Sequence, residues 1–185
     1  TASDLVGRDD ALKRLRTALD STARGAGGVS FFVGEPGLGK TRIADEFAAH
    51  AGERSFETYV GRCYEGEGAP AYWPWLQVLR DAVARIEDSG ELRRLLGTGA
   101  ADLSELLPEL LTRLDDLEIT SGPEGEQARF RLFDAATRFL VELARRKPIV
   151  IVLDDLHWAD ASSLGLLRFL ASQIRDVPLL VIATY

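Results

Sequence analysis

An α/β architecture with a parallel sheet follows from three features of the chain. Short apolar, β-rich runs alternate with longer amphipathic segments. One run, Pro148-Ile149-Val150-Ile151-Val152-Leu153, is apolar throughout, as a parallel strand covered on both faces must be. A glycine-rich turn of fixed spacing joins an apolar run to a helical one. The 185 residues, 46% of them apolar, suffice for one domain with a sizeable core.

The elements read in order as follows. Leu5-Val6-Gly7-Arg8 is a short apolar lead-in, and Asp9 is placed to cap a helix whose stripe is Leu12, Leu15 and Leu19. Gly25 to Gly28 end that helix. Val29-Ser30-Phe31-Phe32-Val33 reads as a buried strand, and the helix after the glycine-rich turn turns Ile43, Phe47 and several alanines inward. Residues 56 to 62 read as a second strand, and 63 to 74 as a loop rich in glycine and aromatics. Pro74 suits the first turn of a helix carrying Trp75, Leu79, Val83 and Ile86. Residues 88 to 115 are helical but interrupted by Gly97 and Gly99, with a new short helix starting at Pro108. A loop covers 116 to 125. Residues 126 to 146 form a long amphipathic helix with Phe130, Phe133, Phe139, Leu140 and Leu143. The apolar strand ending in Asp154-Asp155 follows, then a helix over about 161 to 175 and a last strand over 179 to 184.

Charge and cysteine usage narrow the function classes. A formal net charge of −7 argues against this segment being a nucleic-acid-binding surface. Cys63 is the single cysteine, so no intrachain disulfide forms, and a reduced, cytoplasmic setting is expected. No apolar run approaches membrane-spanning length, so no membrane partner is expected.

Gly34-Glu35-Pro36-Gly37-Leu38-Gly39-Lys40-Thr41 matches G-x-x-x-x-G-K-[ST] in full. Its glycines let the backbone wrap closely around phosphate, and successive N–H groups form an anion nest. The helix beginning near Lys40 aims its positive end at the same place. Lys40 is suited to the β- and γ-phosphates, and the Thr41 hydroxyl to Mg²⁺. ATP or ADP with Mg²⁺ is therefore the expected ligand.

Asp154 and Asp155 end the most apolar strand, where ligands of open α/β sheets bind. Asp154 is the candidate for holding Mg²⁺, through water, and Asp155 for orienting or deprotonating the attacking water. The competing reading has one of them capping the following turn. Arg62 could approach phosphate or a neighbouring subunit, against the plainer reading of a surface or ion-paired arginine. His157 could sense the γ-phosphate or simply pack near the turn. Asp160 reads as a helix cap, the aromatic cluster Tyr72, Trp73 and Trp75 as buried beneath the loop, against the alternative of packing on a partner domain, and Cys63 as a small buried residue. The Arg145-Arg146-Lys147 run suits a helix C-terminus.

Taken together, Leu5-Val6-Gly7-Arg8, GEPGLGKT, GRCYEGEGAPAYWPW (61 to 75), VLDDLHWAD (152 to 160) and the terminal ATY (183 to 185) resemble one family along the whole chain. It is the AAA+-like module of bacterial signal-transduction ATPases with numerous domains (STAND), as in large LuxR-type transcription regulators and related cyclase-linked ATPases. The resemblance implies a P-loop NTPase three-layer sandwich: a parallel sheet of order 1-4-3-2 with helices on both faces. It implies that Val6, Gly7 and Arg8 line the adenine pocket, and that residues 34 to 41, with Arg42, hold the phosphates. Asp154 and Asp155 would be the Walker B pair, and Thr184 would sit near the sensor position. It further implies that residues 1–185 are a truncated nucleotide-binding domain, with a helical insertion over about 75–125 and the fifth strand and lid absent.

Three functions stay open at this point. The first is a nucleotide-dependent switch with slow hydrolysis, read by downstream domains of the same chain, with homo-oligomers expected in the ATP state and DNA contacted only through other domains. The second is an ATPase module serving an attached nucleotidyl cyclase or other catalytic domain. The third is a replication-initiator-like, DNA-associated ATPase, which the DDLHWAD segment fits poorly.

Overall fold

The computed structural model describes residues 6–33, 40–66, 68–117 and 125–185, and for 6–11 and 40–44 it describes the backbone. Four strands, β1 (Gly28–Phe32), β2 (Glu57–Arg62), β3 (Ile149–Asp154) and β4 (Leu179–Thr184), form one parallel sheet in the order β1-β4-β3-β2. That is the order implied by the resemblance. Eight described helices pack around it: α1 (Val6–Ala23), α2 (Lys40–Glu53), α3 (Trp73–Ala84), α4 (Ser89–Leu96), α5 (Ala100–Ser104), α6 (Glu109–Arg113), α7 (Glu126–Arg146) and α8 (Ala161–Gln173).

Residue parity along the strands sorts the layers, because successive side chains of a strand point to opposite faces. Ile149, Ile151 and Leu153 of β3, with Leu179, Val181 and Ala183 of β4, join the larger core under α3 to α8. Val150, Val152, Leu180 and Ile182 join Leu15 and Leu19 of α1 and Phe47 and Ala51 of α2 in the smaller core. All twelve residues of β3 and β4 are buried, as expected for central parallel strands.

The stretch between α3 and α7 folds as broken helices, with Leu92, Leu96, Leu103, Leu107, Leu110 and Leu114 all buried in the larger core. Gly99 is needed for close approach, since a Cβ there would lie 2.7 Å from the Ala135 methyl. Arg113 ties this layer to the end of α3 by donating to the carbonyls of Val83 (2.7 Å), Ile86 and Glu87 (3.2 Å).

Three local expectations are corrected. The first helix runs from Val6, so Asp9 lies inside it rather than capping it. The first strand is not buried: Phe31 is 58% exposed, because β1 is a sheet edge and α3 to α8 gather over β2, β3 and β4. Phe130 lies on the outer surface of α7, 60% exposed, with its ring edge-on to Phe169 of α8 rather than inside the core.

Candidate functional site

The C-terminal ends of the strands line up in one row. Parallel register sets Phe32 beside Thr184 and Arg62 beside Asp154. The parity that sends Val150, Val152, Leu180 and Ile182 toward α1 and α2 continues to Asp154 and Thr184. The same count from Val60 sends Arg62 to that side. The polar ends of three strands therefore face the layer of α2, the helix that opens at Lys40.

Asp154 and Thr184 are each 1% exposed. The Thr184 hydroxyl donates to Asp154 Oδ1 (2.5 Å) and accepts from the Asp155 amide (2.9 Å). The other carboxylate oxygen, Asp154 Oδ2, is buried with no hydrogen-bond donor among the described residues. Its nearest cation among the described residues is Arg62, whose Nε stands 4.0 Å away. Arg62 spends its Nη2 on Asp45 Oδ1 of α2, at 2.6 Å. A buried carboxylate oxygen without a donor is costly, so this one is a place for a positive ligand.

The chain leaves β3 through a left-handed residue, Asp155 (φ 58°, ψ 45°), a conformation aspartate tolerates better than most. A single 3₁₀ turn, Leu156–Trp158, leads to Asp160, the N-cap of α8. Asp160 Oδ2 accepts from the amides of Ser162 (3.0 Å) and Ser163 (3.1 Å). Its Oδ1 accepts from the Ser163 hydroxyl and from the Tyr72 amide (3.2 Å), which lies in the loop before α3. Trp75 Nε1 donates to the Ser163 carbonyl at 3.0 Å. The aromatic segment after β2 is thus stapled to the acidic segment after β3, with Tyr72 and Trp75 buried and Tyr72 held left-handed at φ 64°.

Cys63 follows Arg62, and its amide donates to the Asp154 carbonyl (3.0 Å). Burial, reinforced by the negative charges of Asp155, Asp160 and Asp154, pushes its thiol up to about 12. It therefore stays protonated and inert at neutral pH. His157 is exposed and packs its ring between Trp158 (centroids 5.4 Å apart) and Tyr185 (5.9 Å). A separate crevice of about 350 Å³ opens at the other end of the sheet, around Glu57, Tyr59, Arg85 and Lys147. Its charges are matched in pairs, Arg146 with Glu91, Lys147 with Glu57 and Arg85 with Asp81.

Of the residues singled out in the sequence, the fold brings Asp154, Asp155 and Thr184 into one hydrogen-bonded unit. Gly34, Glu35, Pro36, Gly37, Leu38 and Gly39 lie outside the described residues. Val6, Gly7 and Arg8 open α1, and Lys40, Thr41 and Arg42 open α2, by their backbone. Sequence reasoning missed Asp45, which lies in no motif. It also missed Gln77, whose amide binds the backbone of Arg62 at both its carbonyl (2.9 Å) and its N–H (3.2 Å).

Comparison with known proteins names this arrangement. Residues 4–182 match the family model of the AAA ATPase domain. The chain belongs to the AAA ATPase domain family. It is also 26% identical over 193 residues to an uncharacterized protein of Rhizobium meliloti (strain 1021), a match covering 97% of this chain and 18% of that protein. The chain thus spans less than a fifth of the length of that relative. An AAA ATPase domain is a nucleotide-binding ATPase module, and such modules typically take Mg²⁺ with the nucleotide. The described residues fit that ion. Mg²⁺ keeps several waters and takes only one or two protein carboxylates. Among the described residues this AAA ATPase domain offers a buried carboxylate oxygen with no donor, Asp154 Oδ2. No described helix is long and apolar enough to cross a membrane.

Proposed function

We propose that this AAA ATPase domain is a nucleotide-dependent switch, binding ATP or ADP with Mg²⁺ and hydrolysing ATP slowly. Its state would be read by other domains of a multidomain bacterial signalling protein, a transcription regulator of the STAND kind. One observation carries the reading: the donor-less Asp154 Oδ2 at the strand ends, facing the layer whose helix begins in the G-x-x-x-x-G-K-[ST] motif. The small share of the Rhizobium protein that the chain covers supports a larger parent. Contact with DNA would belong to other domains, and the ATP state would favour self-association.

The roles combine residue chemistry with the family resemblance. By the resemblance, Val6, Gly7 and Arg8 frame the base. The backbone of 34–39 cradles phosphate, with Lys40 against the β- and γ-phosphates and Arg42 beside them. Thr41 and Asp154 hold Mg²⁺, which when bound neutralises charge on the phosphate oxygens. Thr184 fixes both Asp154, through Oδ1, and the Asp155 backbone, leaving Oδ2 for the ion. Asp155 orients the attacking water and takes its proton.

Two substitutions test this. Lys40→Ala should weaken ATP binding about tenfold or more in calorimetry, the scale of one charge-assisted hydrogen bond. Asp155→Asn should keep nucleotide affinity and lower turnover about 100-fold or more, as loss of a general base does. Tight ATP binding in Lys40→Ala would sink the phosphate assignment, and unchanged turnover in Asp155→Asn would remove Asp155 from the chemistry.

A further inference from the structure

One guanidinium stands between two carboxylates at the edge of the site. Arg62 Nη2 bonds Asp45 Oδ1 at 2.6 Å, and Arg62 Nε stands 4.0 Å from the donor-less Asp154 Oδ2. The two carboxylates are unlike. The Asp45 side chain is 57% exposed and belongs to α2, whereas that of Asp154 is 1% exposed and belongs to the central strand.

The base of this arm is fixed. β2 is a sheet edge, yet the Arg62 backbone is clamped on its open side by Gln77 of α3, through both its N–H and its carbonyl. On the inner side Arg62 is in register with Asp154. The preceding Gly61 lies so close to α3 that a Cβ would meet the Pro74 carbonyl at 2.1 Å. The side chain itself is half exposed. Its head is therefore free to change partner by rotation while its root stays in place.

We infer that Arg62 competes with the divalent cation for Asp154, and that Asp45 sets the competition by drawing the guanidinium away. The inference rests on the reading of Asp154 as the magnesium carboxylate. Without the ion, the permanently charged guanidinium partly offsets the buried Asp154 charge. With the ion at Oδ2, a positive group 4.0 Å from that oxygen is repelled, and Asp45 gives it another seat. Arg62 is thus a positioning residue that tunes how much Mg²⁺ the domain needs, and it makes no phosphate contact.

The test reads binding rather than turnover: the Mg²⁺ concentration giving the half-maximal gain in ATP affinity, by calorimetry. Arg62→Ala should lower that concentration about three- to tenfold, leaving ATP affinity without magnesium unchanged. Arg62→Lys, which keeps the charge, should stay near the wild type. Asp45→Asn should raise it by a similar factor, and the double variant should behave like Arg62→Ala, because Asp45 acts only through Arg62. Arg62→Gln keeps the length without the charge and serves in place of alanine if that variant folds poorly. Weaker ATP binding by Arg62→Ala without magnesium would make Arg62 a phosphate ligand and overturn the inference. An unchanged magnesium requirement would leave Arg62 a surface ion pair and overturn it too. Asp154→Asn separates the levels. Loss of magnesium dependence there, with no change in the arginine variant, sinks the role of Arg62 alone. Wild-type magnesium dependence in Asp154→Asn sinks the reading of Asp154 and this inference with it.

Discussion

Thr184 holds two groups that would otherwise be stranded in the interior. Its hydroxyl satisfies Asp154 Oδ1 and the Asp155 amide at once, in a place where water is excluded. Thr184→Val preserves shape and removes that hydroxyl. It should destabilise the domain by about 1–3 kcal/mol in urea unfolding, the penalty for stranding buried polar groups. Thr184→Ser keeps the hydroxyl and should stay close to the wild type. Equal losses in both would show that the threonine methyl, and not the hydrogen bonds, matters. The sequence pointed to Asp154 and Asp155 because acidic residues after an all-apolar strand stand out. Thr184 entered only through the family resemblance, since a threonine ending an apolar strand is otherwise an ordinary strand residue. Asp45 was invisible: its role depends on which strand end α2 crosses, and no local spacing encodes that.

Most elements were legible from periodicity and punctuation. The long helix α7 was read with the bounds it has, 126 to 146, because a glycine precedes it, a proline follows, and its apolar stripe is strong. Pro74 sits in the first turn of α3 as expected. The misreadings fell where burial depends on neighbours. Residues 29 to 33 look like a core strand by composition, whereas the strand order implied by the resemblance puts that strand at the sheet edge, and Phe130 fits the helix stripe yet lies beyond the core. The link between the aromatic and acidic segments is also non-local, since the Asp160 to Tyr72 bond joins residues 88 apart. Asp160→Ala should cost about 1–3 kcal/mol, from the lost cap of α8 and the unpaired Tyr72 amide. Tryptophan emission should shift to longer wavelength as Trp75 gains water. A stability near wild type with unshifted emission would mean that the two loops hold together without the staple.

At the scale of the whole molecule, alternation along parallel strands does most of the organising. It puts one set of β3 and β4 side chains under the large helical layer and the other under α1 and α2. The same count delivers Arg62, Asp154 and Thr184 to one face at the strand ends. The sequence-level expectation of an α/β P-loop sheet in the order 1-4-3-2 matches the observed topology, and membership of the AAA ATPase domain family follows from nearly the whole chain. The central claim is that Asp154 is where the nucleotide's cation meets the protein. The measurement that reaches it most directly is ATP affinity by calorimetry, with and without Mg²⁺, for the wild type and Asp154→Asn. The account predicts that magnesium tightens ATP binding in the wild type. In Asp154→Asn that gain should shrink about tenfold or more, while binding without the ion changes little. An equal magnesium gain in both proteins would contradict it.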